Sequence, residues 1–583
     1  MIAVLLACSA AADKAFAQDQ PGGAAAGAGG GGGAAPTAGG GATGASGQAT
    51  ESPTASTTGN ATESSTGSEV APTPGLAATT APPVGVAVRL GDLGGVVAAA
   101  SAVGGAPLQR PPGLTITPSI GLQEEYTTGA INGATSQRAD FITTLTPGLL
   151  INLATPNATG TLSYTPSFQL YANQSSDNDI AQDLNGAVDA TLLPQTLLLS
   201  LRAYASEQST AGGVAPGGVS TLSSNDRTTT TGFSASPSFA HKFGDTGTLT
   251  IGYSLSETNQ SGNAAYAPGT AQPYFLASRT VTNQEDAAFT TGPDFGRLND
   301  TLYADGAQDS GSGVLDGAHQ YLLANTLRFA LVRRVYAFGT LGYENIAYPS
   351  VPPVSISDGV WAAGFQLTPL GKDNITVGYG HFFGFDAPFA RATIALSART
   401  QLAVSYSDVL ASSQQLLQSA LGATSVDPAG NPIDTQSNVP VMLTNQLLSV
   451  QSGVMRSAQL SASLITTWPR DTLALTLLDD RQKLVANAPG TTGFSQDSIS
   501  GSLGWTHALS PTLSAVSYVQ MGNTTSDAVG SGTTPVFAGE LSLLDRLSPT
   551  LTASLQYQLT TRTVYGTGST LQSAVIVALQ KTF

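Results

Sequence analysis

TLTASLQYQL, residues Thr550–Leu559, places Leu551, Ala553, Leu555, Tyr557 and Leu559 on one side of an extended chain and Thr552, Ser554, Gln556 and Gln558 on the other. A period of two marks a β-strand with one apolar face. The same period returns in Thr248–Leu255, where Leu249, Ile251, Tyr253 and Leu255 alternate with Thr248, Thr250, Gly252 and Ser254. It returns again in Gly160–Tyr171, where Leu162, Tyr164, Phe168 and Leu170 alternate with Thr161, Ser163, Thr165, Ser167 and Gln169 around Pro166.

Two architectures bury one face of many such strands: a soluble sandwich and a membrane barrel. The polar face separates them. Only 10% of the 583 residues are charged, against about 25% in ordinary soluble domains. A soluble strand turns Lys, Glu and Arg to water, whereas here that face carries Ser, Thr, Gln and Gly. Tyr164, Tyr171, Tyr253, Tyr336, Tyr379, Tyr406 and Tyr557 fall within or at the ends of candidate strands, as the aromatic girdles of a membrane barrel require.

Turn spacing gives an independent indication. Short turns are expected at Pro156–Gly160, Leu193–Gln195, Phe243–Gly247, Val332–Arg334, Pro369–Asp373, Leu396–Thr400, Trp468–Asp471, Leu509–Thr512 and Leu547–Thr550. Counted from Leu114, each lies between an even strand and the next odd one. The long connections Gln174–Ile180, Gln208–Asp226, Asn259–Pro273 and Asp408–Gly453 lie on the opposite side. The expected fold is all-β: a transmembrane antiparallel up-and-down β-barrel of about 18 to 22 strands, short-turn rim in the periplasm. The pair inside Ser278–Asp309 is the faintest.

Composition excludes other classes. A net charge of −16 and a pI near 4.5 lack the basic footprint of a nucleic-acid binder. One cysteine, Cys8, rules out a disulfide framework and a Cys-rich metal site. The most apolar long stretch, Val84–Ala106, is cut by Arg89 and Asp92, so no transmembrane helix is expected.

The N-terminus reads as an address. Met1–Ala12 is small and apolar, and Ala15-Phe16-Ala17 has the A-x-A form of a secretory cleavage site. Residues 1–17 are therefore expected to be a signal peptide cut after Ala17, although no basic residue precedes Lys14. Leu5-Leu6-Ala7-Cys8 also has the form of a lipoprotein box, and lipidation of Cys8 stands beside its reading as an apolar member of the signal. Residues 18–110 read as a disordered periplasmic arm. Between Pro21 and Pro83 only Gln48, Glu51, Asn60, Glu63, Glu69, Val70 and Leu76 are not Gly, Ala, Ser, Thr or Pro. Such a segment cannot bury enough apolar area to offset the entropy of ordering. The barrel is expected over 111–583.

The chain ends Val575-x-Val577-x-Leu579-x-Lys581-x-Phe583. A terminal aromatic with alternating apolar residues resembles the signal read by the barrel-assembly machinery of Gram-negative bacteria, an edge strand offered for pairing. Val575, Val577, Leu579 and Phe583 are assigned to it, with Lys581 departing from the pattern.

Leu114–Tyr126 (LTITPSIGLQEEY), followed by Asp140–Leu150 (DFITTLTPGLL), resembles the opening of outer-membrane barrel proteins associated with exosortase/PEP-CTERM exopolysaccharide systems. Glu124, Glu125 and Tyr126 close the first strand; Asp140, Phe141 and Ile142 open the second, which carries Pro147-Gly148. Ala398–Leu417 looks similar to a late strand and loop of that family. The resemblance implies a context near surface polysaccharide and supplies no catalytic residue.

No catalytic, cofactor or metal site is legible. His241, His319, His381 and His507 are widely spaced, and neither H-E-x-x-H nor G-x-S-x-G occurs. Acidic clusters stand at Glu124-Glu125, Asp177–Asp183, Glu285-Asp286 and Asp479-Asp480. They read either as solvated loop carboxylates or as cation-attracting groups at a pore mouth. Within Asp408–Gly453, Leu410, Leu416, Leu417 and Leu421 have near-helical spacing, which fits an exposed loop or a lumen plug. The expected protein is a non-enzymatic, porin-like channel of the outer membrane. Its lumen is expected to be polar and nearly uncharged, passing neutral solutes or exopolysaccharide. The alternatives are a non-conducting surface or scaffold barrel and, more distantly, an outer-membrane hydrolase. Expected partners are outer-membrane lipid and lipopolysaccharide, the assembly machinery, and polysaccharide or small neutral solutes, with no cofactor and no nucleic acid.

Overall fold

The computed structural model describes residues 112–583 apart from 130–138, 211–226, 268–269, 370–372, 427–431, 435–444, 446, 529–531 and 565–567. Cys8, the cleavage site at Ala17 and the arm over 18–110 lie outside the described residues.

The strands are β1 Gly113–Thr127, β2 Asp140–Thr155, β3 Ala158–Tyr164 resuming as Ser167–Tyr171, β4 Asp179–Ala181 resuming as Leu184–Leu193, and β5 Leu197–Ser209. They continue as β6 Arg227–Phe243, β7 Gly247–Gly262, β8 Ser278–Thr291, β9 Leu298–Gly311, β10 His319–Val332 and β11 Val335–Tyr348. Next come β12 Val354–Leu367, β13 Asn374–Phe382, β14 Phe385–Ser397, β15 Thr400–Ala411, β16 Gly453–Thr467 and β17 Asp471–Asn487. The last are β18 Gln496–Ala508, β19 Leu513–Ser526, β20 Thr533–Ser548, β21 Leu551–Val564 and β22 Gly568–Thr582. Each pairs antiparallel with its neighbours, and β22 closes the ring on β1 from Ser119↔Thr582 to Thr127↔Ala574. The result is a closed 22-stranded barrel. β3 is interrupted at Thr165-Pro166, where proline has no N–H to give the ladder, and β4 is interrupted beside it.

The hydrophobic pattern is inverted relative to a soluble protein. On β1, Leu114, Ile116, Ile120, Leu122 and Tyr126 face outward and exposed, while Gln123, Glu125 and Thr127 are buried inside. On β11, outward Leu341 is 72% exposed and its inward neighbour Thr340 2%. Exposing a continuous apolar surface to water is unfavourable by about 25 cal/mol per Å², so this exterior is a lipid-facing one. Among the described residues no helix is long and apolar enough to cross a membrane.

All nine expected short turns fall on one rim. A tenth, at 292–297, contains the one-turn 3-10 helix Pro293–Phe295 and joins β8 to β9, the faint pair. Two connections depart from the expected asymmetry, one of them the three residues 565–567 between β21 and β22. β13 and β14 are joined on the long-loop rim by Phe383-Gly384 alone, both at positive φ (59° and 70°), the geometry of a two-residue hairpin turn. This short hairpin lowers the wall locally. β14 pairs with β15 only as far as Ala390↔Tyr406, so Ser407–Ala411 pair with β16 alone. The unmatched edge is closed by packing. Leu410, Phe383, Ile346, Tyr348, Val354 and Ile356 join one buried cluster. Arg456 is bonded to Asp408 (Nη2–Oδ2, 2.7 Å) and stacks over Phe385 at 3.9 Å.

Val575, Val577, Leu579 and Phe583 all project outward from the closing strand. Lys581 bends to the short-turn rim, its Nζ donating to Thr550 Oγ1 at 2.6 Å.

Candidate functional site: a barred lumen

The long β15–β16 connection turns into the barrel. Ser412 begins it as an N-cap. Gln415 N–H donates to Ser412 Oγ (3.3 Å) and Ser412 N–H to Gln415 Oε1 (3.1 Å), a reciprocal capping box. Helix α1, Ser413–Gly422, follows. Helical spacing divides it into an amide face of Gln414, Gln415 and Gln418 and an apolar face of Leu417, Ala420 and Leu421.

The amide face is held by the inner wall of β8–β11. Thr280 Oγ1 donates to Gln414 Oε1 (2.7 Å), and Gln414 Nε2 donates to Ser278 Oγ (2.9 Å) and Ser278 O (3.2 Å). Thr282 Oγ1 donates to Gln418 Oε1 (3.2 Å). Gln415 accepts from Tyr348 Oη (2.5 Å) and donates to Asp309 Oδ2 (3.3 Å). The apolar face packs on Tyr204 of β5. Gly232 of β6 makes room for this, since a Cβ there would lie 2.7 Å from Leu421 Cδ1. Beyond the helix, Arg202 Nε donates to Thr424 O at 2.9 Å while its guanidinium pairs with Asp189 at 3.0 Å. The segment leaves the wall at β15 and is anchored at β5, ten strands away in a ring of 22, so it spans the lumen.

The returning limb runs along the opposite wall. Asn445 Nδ2 donates to Asp480 Oδ2 and Ser498 Oγ, both at 3.1 Å. Ser449 and Gln496 exchange hydrogen bonds of 2.9 and 2.8 Å. Leu447 packs with Tyr518, Val536 and Ala538.

A second element crosses the long-loop mouth. The β7–β8 connection contains a short antiparallel pair, Ala265–Tyr266 with Pro273–Phe275. It docks on the far rim. Ser452 N–H donates to Tyr274 O and Thr492 N–H to Pro273 O, each at 2.9 Å. Tyr274 and Phe494 meet edge to face at 5.1 Å, and Phe275 is fully buried. Ser452 ties this strap to the returning limb, and Ser413 Oγ donates to Gln451 O at 3.2 Å, tying it to the helix. The lumen is therefore barred twice from the long-loop side.

The sequence-derived helix thus takes the inward alternative, but it begins at Ser413. Val409–Ala411 belong to β15, and Leu410 packs in the wall cluster instead. The acidic clusters are corrected for three of the four sites. They sit on strands, where neighbouring residues point to opposite faces. Glu125, Asp286 and Asp480 face the lumen, whereas Glu124, Glu285 and Asp479 face outward. The lumen is also not nearly uncharged, since Asp305, Asp309, Glu344, Glu540 and Arg328 join them on the inner face. Each of these strands places one or two charges among neutral residues on its inner face, so composition dilutes the signal. The wall of β17–β22 and β1 is instead rich in amides, with Gln482, Gln520, Gln556, Gln558, Gln572, Gln580 and Gln123 inward.

The histidines are apart. His241 lies between Phe239 and Phe243, and His319 meets Asn345 at 3.1 Å. His507 meets Asp471 at 2.8 Å. His381 is held between Asp386 (2.6 Å) and Asp358 (3.1 Å). Among the described residues no group of three or more potential metal ligands converges.

No family model matches the chain, and no curated protein matches it. Solved structures do. A mutant ferric enterobactin receptor of Pseudomonas aeruginosa is 11% identical over 82% of this chain and 81% of its own, with a TM-score of 0.41. The siderophore receptor PirA of Acinetobacter baumannii is 7% identical over 82% and 81%, at 0.45. The closed form of the ferric-catecholate import receptor Fiu of Escherichia coli K12 is 10% identical over 80% and 81%, at 0.44. The case for location lies in the barrel itself: closed, apolar without, polar within, and with long connections on one rim. The chain is an outer-membrane β-barrel whose lumen is barred from its long-loop side.

Proposed function

We propose that the protein is a passage for polar solutes across the outer membrane, held shut by helix α1 and the returning limb of the same connection. The carrying observation is the chemistry of the bar. Helix α1 is fixed to β8–β11 by amide and hydroxyl hydrogen bonds, which water replaces at a net cost of about 1 kcal/mol each. A permanent plug is better served by an apolar core. The amide-rich wall opposite suits a polyhydroxylated solute, and traffic of neutral sugars or surface polysaccharide, which the opening strands' resemblance implies, belongs to this reading. Delivery by the barrel-assembly machinery through Val575, Val577, Leu579 and Phe583, with lipopolysaccharide as outer-leaflet neighbour, is part of it; the outward direction of these four side chains supports it.

A scaffold reading draws on the strap, whose docking surface is apolar (Ala267, Tyr274, Phe275, Val450, Phe494). Planar-bilayer recording of the refolded protein decides. Rare stepwise openings in the native chain, becoming frequent when residues 413–422 are replaced by a Gly-Ser linker, support the passage. A folded barrel silent in both forms refutes it and leaves the scaffold.

A further inference from the structure

Strand register puts three inward carboxylates in one cross-strand row on the wall below helix α1. Asp286 of β8 stands opposite Asp305 of β9, Asp305 opposite Leu322 of β10, and Leu322 opposite Glu344 of β11. Like charges directly opposite on neighbouring strands repel. Asp286 and Asp305 are such a pair, their Cα atoms about 5 Å apart in an antiparallel ladder. Among the described residues no arginine or lysine forms an ion pair with any of the three. Asp305 accepts from Gln284 Nε2 at 2.8 Å, and Glu344 accepts from Gly384 N–H at 3.1 Å. Both are neutral donors. His381, whose charge acts on Glu344, is already taken by Asp358 and Asp386.

A second feature points to the same place. Tyr303, two residues before Asp305 on the same face, is 5% exposed, its ring packed with Leu322, Ala324 and Val360, and its hydroxyl has no hydrogen-bond partner among the described residues. It lies in the electrostatic field of Asp305 and Glu344. A buried hydroxyl without a partner is unfavourable by about 1–3 kcal/mol, and buried carboxylates are normally matched by a cation. The backbone accommodates the group: Gly252 on β7 faces Asp286, and a Cβ there would collide with the Asp286 carboxylate.

We infer that Asp286 and Asp305 seat a divalent metal cation, with Tyr303 and Glu344 contributing through water. A hard cation of the calcium class takes carboxylate and water oxygens together. Two carboxylates leave the rest of the shell to water, which a hard cation of this class accepts. The seat requires no conduction, so its test is independent of the passage reading.

The test uses full-length protein refolded in detergent after EDTA treatment, with thermal unfolding followed by heat-modifiable migration. Calcium chloride is expected to raise the midpoint beyond sodium chloride of equal ionic strength. Asp286→Asn/Asp305→Asn is expected to abolish that increment while melting higher than the native chain in EDTA at low salt. Asp305→Asn alone serves if the double variant does not fold. Glu285→Gln, the outward neighbour, is expected to keep the increment. Terbium luminescence excited through tyrosine gives a second readout, with most of the signal lost in Tyr303→Phe. An increment that persists in the Asn variants, that calcium does not produce, or that a linear diamine produces in its place overturns the assignment.

Discussion

Replacing both Gln414 and Gln418 by Ala removes four hydrogen bonds between helix α1 and the inner wall of β8, those to Thr280 Oγ1, Ser278 Oγ, Ser278 O and Thr282 Oγ1. The capping box, which uses Ser412 and Gln415, stays intact, and Ala is a good helix former, so the helix itself survives. At about 1 kcal/mol net per bond, the docked state loses roughly 4 kcal/mol. Since 1.4 kcal/mol is tenfold in an equilibrium, the released population rises by about 10³. The packing of Leu417, Ala420 and Leu421 on Tyr204 is common to both chains and cancels from this ratio. The assay is single-channel recording at fixed voltage, with open fraction as the quantity compared. The expected result is a rise from rare openings to sustained ones at unchanged unit conductance, since the barrel wall is untouched. An open fraction equal to that of the native chain, in a variant with native heat-modifiable migration, refutes the reasoning. It shows that the amide hydrogen bonds do not hold the bar.

Gly232→Val is expected to act on the other end of the helix, because its Cβ would meet Leu421 Cδ1 at 2.7 Å; open fraction again reports it, with less effect than the double Ala variant. Asp408→Ala leaves the Arg456 guanidinium buried at the β14–β15 seam without its carboxylate. Loss of one partner of a buried pair costs about 3–5 kcal/mol, read as a lower urea midpoint, and a midpoint unchanged within error contradicts the seam's role. Deletion of Phe583, whose side chain is 70% exposed on the outer face and whose backbone N–H donates to Pro118 O at 2.9 Å, is expected to lower the refolded barrel's urea midpoint by about 1 kcal/mol equivalent yet strongly reduce insertion in cells. Equal insertion of the two forms counts against its role in the assembly signal.

How much of this was legible in the sequence follows from which residues carry each feature. The barrel was legible because a lipid-facing strand must repeat an apolar residue every second position, as Leu551 to Leu559 do. Rim polarity was legible because Pro, Gly, Asn and Asp punctuate the short turns. The hairpin at Phe383-Gly384 was not, since neither residue there is the Asn or Asp that usually signals such a turn. The strap was hidden for a different reason. Its anchors, Tyr274 and Phe494, are more than two hundred residues apart, and only closure of the ring brings them together. The acid pair was half visible: Glu285-Asp286 is conspicuous, but the partner Asp305 lies on another strand and is identified by register, which a one-residue slip would have turned to the other face.

The inner wall bears on whether the bar is removable. In a protein whose plug is permanent, wall groups depend on the plug for their hydrogen bonds, and removing it strands them. Here many wall groups are satisfied within the wall. Thr326 meets Thr340 at 2.8 Å, Ser405 meets Ser461 at 2.7 Å, Thr161 donates to Asn152 at 2.9 Å and Gln496 donates to Gln482 at 2.9 Å. Those that do reach the bar are hydroxyls of Ser278, Thr280, Thr282, Tyr348 and Ser498, the carboxylates of Asp309 and Asp480, the amides of Gln260 and Gln496, and the Arg202 guanidinium, polar groups that water in an open lumen solvates. Release of the helix uncovers little apolar surface, chiefly the patch where Leu417, Ala420 and Leu421 meet Tyr204. The strap differs, because its release exposes Phe275 and separates Tyr274 from Phe494 at once. The two bars therefore differ in the cost of moving them. The luminal helix exchanges protein hydrogen bonds for water at about 1 kcal/mol each, while the strap needs a partner for its apolar face. On the proposed passage reading, opening from the outside begins at the strap and passes to the helix through Ser452, Gln451 and Ser413, the residues bonded along that path.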